Sequence, residues 1–171
     1  MLVPLLMGCP FEDEKCPFND WERITTIEDL IIISPLKDTF QIGDKVTLEL
    51  VINDSIYFGE QLIGLLNETN DLTPSIIIPQ RIGFVNFFNN DLSLIHGKQE
   101  NNKNKFYLEY CFDDNRYKLS IKTRLEIEGD YWFSGSNDVF FGSVKDCNFY
   151  RITTNFKGGE NGNRLEFVVR E

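Results

Sequence analysis

The chain has 171 residues, 42% of them hydrophobic and 26% charged, with a net charge of −10 at pH 7. That length and mixture indicate one folded domain with a sizeable core, and the negative field disfavours a nucleic-acid partner, whose phosphates it would repel. No apolar run reaches the ~20 residues that a membrane-spanning helix needs, and fifteen Phe with six Tyr favour strands, where aromatic rings fit a half-buried pleated surface.

In chain order, the first feature is an uncharged apolar start, Met1 to Met7, followed by Gly8-Cys9-Pro10-Phe11 and three acids, Glu12, Asp13 and Glu14. Leu6-Met7-Gly8-Cys9 resembles a bacterial lipobox, the recognition site of the type II signal peptidase. In that family a branched apolar residue three positions before the cysteine, and a small residue just before it, direct diacylglycerol onto the thiol. The resemblance implies a signal-peptide remnant over 1–8, a lipidated Cys9, an acidic tether over 9–27 and a domain over 28–171. Each buried acyl CH₂ contributes about 0.8 kcal/mol, so several chains would hold the protein on a membrane. The stretch from Pro10 to Lys15 is also similar to the acidic export signal of Bacteroidetes-type surface lipoproteins. That likeness implies an outer-membrane location facing outward. The alternative is a solvated tether without address information, which leaves a periplasm-facing protein open.

From about Leu30 the pattern takes strand period. Val46, Leu48, Leu50 and Ile52 share one face, Thr47, Glu49 and Asn53 the other, and Gly43-Asp44 supplies a turn in front. The stretch from Gly59 to Glu68 leaves room for one short helix. Phe106, Leu108, Tyr110 and Phe112 form a further inward face. Tyr117, Leu119, Ile121, Leu125 and Ile127 form the next, with Lys118, Ser120, Lys122, Arg124 and Glu126 outward. Tyr150, Ile152, Thr154 and Phe156 make another, Leu165, Phe167 and Val169 the last, and residues 158–163 predict a hairpin loop joining these two. Sheets with one wet face are antiparallel as a rule. Without strand–helix alternation the fold class is all-β, an antiparallel sandwich. The order resembles the immunoglobulin-like domains of secreted bacterial proteins over about 28–171, which implies an immunoglobulin-like β-sandwich.

With Cys9 lipidated, three thiols remain for an oxidising compartment. Cys111 alternates with Glu109 and Asp113, and Cys147 with Phe149 and Arg151, so both leave the core face. The expected disulfide is Cys111–Cys147 on the outside of the sheet. The alternative joins Cys16 to one of them and staples the tether to the domain. A structural zinc site is disfavoured, because no CxxC spacing occurs and there is one histidine.

That histidine, His96, precedes Gly97 and an Asn-rich loop, the place for an exposed or capping residue rather than a triad member. Glu126, Glu128, Asp113 and Asp114 fit solvated surface better than paired acid–base work. Neither a phosphate-cradling loop nor a calcium-loop spacing is found. No catalytic residue, metal or cofactor is assigned. In Glu128 to Ser136, Tyr131 and Phe133 continue the inward phase and turn Trp132 outward beside a loop. An exposed Trp stacks a sugar ring or anchors a protein, whereas burial under the loop would make it core. Trp21 is the candidate for docking the tether on the domain. Asp54-Ser55-Ile56 resembles the short O-glycosylation motif of Bacteroidetes envelope proteins, which implies Ser55 as the acceptor. The expectation is a non-catalytic outer-envelope lipoprotein acting as an interaction or structural module. A glycan-binding accessory lipoprotein of a polysaccharide-uptake system is the alternative, and a small carboxylate-based hydrolase the third.

Overall fold

Two nine-residue strands, β4 (Lys45–Asn53) and β12 (Arg116–Arg124), pair antiparallel over their whole length in a computed structural model that describes residues 23–101, 104–159 and 164–171. Alternation dictates what they do. Val46, Leu48, Leu50 and Ile52 on one strand, and Tyr117, Leu119 and Ile121 on the other, are fully withdrawn from solvent. β2 (Ile31–Ser34) pairs with β4, while β8 (Asp91–His96) and β11 (Glu109–Cys111) pair with β12, completing a five-stranded sheet.

A six-stranded sheet runs β1 (Ile24–Thr26), β15 (Tyr150–Thr154), β14 (Asn137–Phe141), β7 (Ser75–Ile77), β10 (Lys105–Tyr107), β9 (Lys98–Gln99). β13 (Gly129–Phe133), β16 (Leu165–Arg170) and β3 (Thr39–Gln41) make a third sheet, and β5 (Ser55–Phe58) with β6 (Gln61–Gly64) a hairpin. All named pairings are antiparallel except β1 with β15 and β3 with β16. The fold is an all-β sandwich whose layers meet through aromatic rings. Tyr117 of β12 stands edge-on to Phe141 of β14 at 5.0 Å, tying the two large sheets together. Tyr131 stacks on Phe167 at 4.9 Å, Phe133 lies 4.5 Å from Phe156, and Phe87 meets Phe133 edge-on at 5.3 Å. Ring pairs of this kind add roughly 0.5–1.5 kcal/mol each beyond the area they bury.

A short α-helix, α1 (Leu65–Thr69), falls inside the stretch expected to hold one. Asp54 starts it: its carboxylate accepts from Leu66 N at 2.8 Å and its carbonyl from Leu65 N at 2.9 Å. Asn70, in the left-handed region at φ 50°, ends it.

Several expectations change. Ile24 to Thr26 fall within the range assigned to the tether, yet they pair in register with Arg151 to Thr153, so the sheet begins earlier than expected. Phe112 is 68% exposed because β11 stops at Cys111 and the chain turns before β12. Ile127 is exposed as well, since β12 ends at Arg124 and Leu125 is the last residue to keep the inward phase. β15 and β16 are not a hairpin; they belong to different sheets. After β15 the backbone bonds to the edge of β2, with Ile31 N donating to Asn155 O and Lys157 N to Ile31 O, and this leads the chain away from β14. Residues 1–22, which include the lipobox-like stretch, Cys9, the acids, Cys16 and Trp21, lie outside the described residues.

Burial sets an alkaline limit on this core. Tyr110, Tyr117, Tyr131 and Tyr150 are all held above the ordinary phenol range, first by desolvation. A phenol in the unfolded chain ionises near pH 10, so above that pH the unfolded state releases protons that the folded state keeps. Stability therefore falls as pH rises past about 10. A pH titration of phenolate absorbance at constant temperature should show four tyrosines ionising only together with loss of the β-sheet circular dichroism. Ionisation of all six with the sheet intact would contradict their burial.

Candidate functional site

The inward phase of β4 and β12 fixes what the other side of their sheet presents. Cross-strand register lays the outward residues in rows. One row runs Ile32, Glu49, Ser120, His96, and the next Ser34, Thr47, Lys122, Ser93. On the other side Val51 stands opposite Lys118, which stands opposite Glu109, and Arg116 lies beyond. Of these, Thr47, Glu49, Val51, Arg116, Lys118 and Lys122, with Ser34, Ser120 and His96, line an open trough of about 520 Å³.

β8 contributes through a bulge. Its register shifts between Ser120 and Ile121 of β12, so Leu94 opposes Ile121 and His96 opposes Ser120, leaving Ile95 as the extra residue. A bulge re-aims side chains. Here Leu94 packs against the core while Ile95, 48% exposed, stands at the trough. Gly97 closes the strand: its φ is +84°, and a Cβ there would come within 2.4 Å of Tyr107 O. Glu109 ties this corner together, its carboxylate 3.2 Å from His96 Nδ1 and accepting from Gly97 N at 3.3 Å. Ser120, expected outward and wet, faces outward but is buried at the trough floor between His96 and Glu49.

Charge distinguishes this face from the rest of an acidic protein. Arg116, Lys118 and Lys122 line it against Glu49, in a chain whose net charge is −10. Lys118 Nζ lies 2.6 Å from Asp114 Oδ2, which raises the amine and lowers the carboxyl from their usual ranges, the hydrogen bond between them being the main cause. Both groups therefore stay ionised across ordinary pH, and the pair fixes the amine at the rim. Val51 and Ile95 add exposed apolar surface beside the cations. Such a face can hold an anionic group and cover an apolar one. Ser120 stands beside His96, which contacts Glu109; among the described residues no Ser120–His96 hydrogen bond joins them and no three His, Cys, Asp or Glu side chains converge as a metal-binding group.

The sequence-derived candidates lie elsewhere. Trp132 has the predicted outward phase between buried Tyr131 and Phe133, opposite Glu166 of β16. It is half-buried, however, because the segment before β8 folds over it. The Phe84 ring lies 6.4 Å away, the Arg81 guanidinium 5.8 Å from the indole centroid, and the indole N–H is buried with no partner among the described residues. Ser55 is exposed at the start of β5, opposite Gly64. Glu126, Glu128, Asp113 and Asp114 are exposed.

The Cys111–Cys147 pairing is not formed: Cys111 is a free thiol. It does leave the core face, and burial pushes its thiol up. Cys147 does not sit on a strand, so alternation with Phe149 does not place it; it lies in the turn between β14 and β15 at φ +55°, and it is engaged elsewhere. The trough itself was missed as a unit. The outward series Lys118, Ser120, Lys122, Arg124 was visible on β12, but the partner strands and the bulge at Ile95 were not.

No protein-family model matches the chain, and neither does any curated protein or solved structure.

The packing of Trp132 gives a direct expectation. Truncating a buried aromatic costs about 3–5 kcal/mol, and this ring is covered on one side, so Trp132→Ala should cost about 2–3 kcal/mol in urea unfolding. A cost near zero would mean the indole stands free as a binding platform.

Proposed function

We propose that the protein is a non-catalytic lipoprotein of the outer envelope, an interaction module with an immunoglobulin-like β-sandwich held by lipid on Cys9. Its trough on the five-stranded sheet meets another envelope protein that presents acidic side chains beside apolar ones. The observation that carries this reading is local charge: Arg116, Lys118 and Lys122 line a trough with Val51 and Ile95 on an otherwise acidic protein. Complementary charge steers encounter and sets register more than it adds affinity, so binding should weaken with salt. The apolar neighbours supply the area that a rim of charges alone does not. The glycan alternative has less support, because Trp132 is packed beneath Phe84 and Arg81 and, among the described residues, no Phe, Tyr or Trp lines the trough.

Two experiments test the reading. Made with a complete signal sequence in a bacterial host, the protein should take up labelled fatty acid and sediment with membranes, and Cys9→Ser should abolish both. Label retained by that variant would refute the anchor. The soluble Cys9→Ser form should retain a specific protein from detergent-solubilised envelope. The double substitution Lys118→Glu, Lys122→Glu should cut that retention at least tenfold with an unchanged melting temperature, as should high salt. Equal retention by both forms would remove the trough from the function, and retention of purified envelope glycan instead of protein would favour the alternative.

A further inference from the structure

The trough follows one strand. Its cations all come from outward positions of β12, Arg116, Lys118 and Lys122, with Ser120 buried on the floor between the last two. Arg116 and Lys122 are six residues apart, about 20 Å at the antiparallel rise of ~3.4 Å per residue. A volume of about 520 Å³ over that length gives a section roughly 5 Å across. That is the width of one strand and about half that of a helix with its side chains.

Charge is unevenly used along this line. Lys118 is already held by Asp114 at 2.6 Å. Among the described residues, Arg116, Lys122 and Glu49 have no ion-pair partner. Glu49 stands opposite Ser120, between the two free cations. The unpaired charges therefore run positive, negative, positive along the strand. Exposed apolar surface flanks the middle: Val51 is opposite Lys118, and Ile95 is the bulge residue beside the Ser120 row.

We infer that the trough takes an extended segment of the partner, one strand wide, carrying two acidic residues six positions apart with apolar side chains on the same face between them. The inference rests on the trough being the interface. In an extended chain every second residue shares a face and recurs about 6.8 Å on, so two acids six apart meet Arg116 and Lys122 together. The two side chains between them on that face lie over the Lys118 and Ser120 rows, against Val51 and Ile95. An acid over Ser120 would instead face the carboxylate of Glu49 and be repelled. Either chain direction satisfies this pattern. A helix would need about 13 residues to place two acids about 20 Å apart, on a body too wide for the trough.

The probe is a nine-residue peptide, acetylated and amidated, in which Thr alternates with Glu, Val, Val and Glu in that order, so that the acids are six apart. Its isomer has the order Val, Glu, Glu, Val, with the acids two apart. Both carry a fluorophore and are titrated by anisotropy against the soluble Cys9→Ser chain. The six-apart peptide should bind at least fivefold tighter, and Arg116→Glu or Lys122→Glu should abolish the preference with an unchanged melting temperature. A third peptide, with one Glu of the six-apart pair replaced by Lys, should bind Lys122→Glu at least fivefold tighter than it binds the unreversed trough. Equal affinity of the two isomers, or no binding of either at millimolar peptide, overturns the extended segment. If the same preparation still retains an envelope protein in a charge-dependent way, the trough stands as the interface and only its occupant is wrong. If that retention is absent too, the interface reading fails with it.

Discussion

The edge-on contact of Tyr117 with Phe141 is the constraint on which the arrangement turns. It joins the five-stranded sheet to the six-stranded one at a point where both rings are fully buried. Because strand residues alternate between faces, fixing Tyr117 inward fixes Arg116, Lys118, Ser120 and Lys122 outward. A slip of one residue would exchange the two sets and bury the cations, a cost of several kcal/mol per charge. The trough is thus a consequence of the core.

The second aromatic group does the same for the third sheet. Phe133, Phe156, Tyr131 and Phe167 pack within one cluster, with Phe87 on its flank. Asn90 anchors that flank: its side chain donates to Phe87 O at 2.8 Å and accepts from Glu126 N at 2.8 Å. These bonds hold the segment around Phe84 to Phe88 against the sheet, and that segment is what covers Trp132. The core therefore decides both which face is open and which aromatic is closed.

Much of the fold was legible in the sequence, for a physical reason. Strands wet on one face write their burial as alternation, so β4, β12, β15 and β16 could be read residue by residue, and each inward face of β4 and β16 is buried as expected. Where strands end is a local event with a weaker signal, and Phe112 and Ile127 were misplaced for that reason. Pairing partners leave still less trace. The turn-rich residues 158–163 suggested a hairpin, yet the sheet that each flanking strand joins is set by distant contacts such as Ile31 with Phe156. The same limit applies to the sites. Outward phase placed Trp132 correctly on its strand, but the ring that covers it comes from another part of the chain. The cations of β12 were read as an outward series; their combination with Val51, Ile95 and His96 into one trough required the register and the bulge.

Arg116, Lys118 and Lys122 gather cations in one trough of an acidic protein, and that trough is the proposed face for a partner. Site-specific photocrosslinking in the intact envelope tests that most directly, with the crosslinking side chain placed at Val51 or Ile95 and, as the control, at fully exposed Ile82. The account predicts one discrete protein adduct from Val51 and from Ile95 and none from Ile82. Adducts from Ile82 alone, or the same adducts from all three positions, would contradict it.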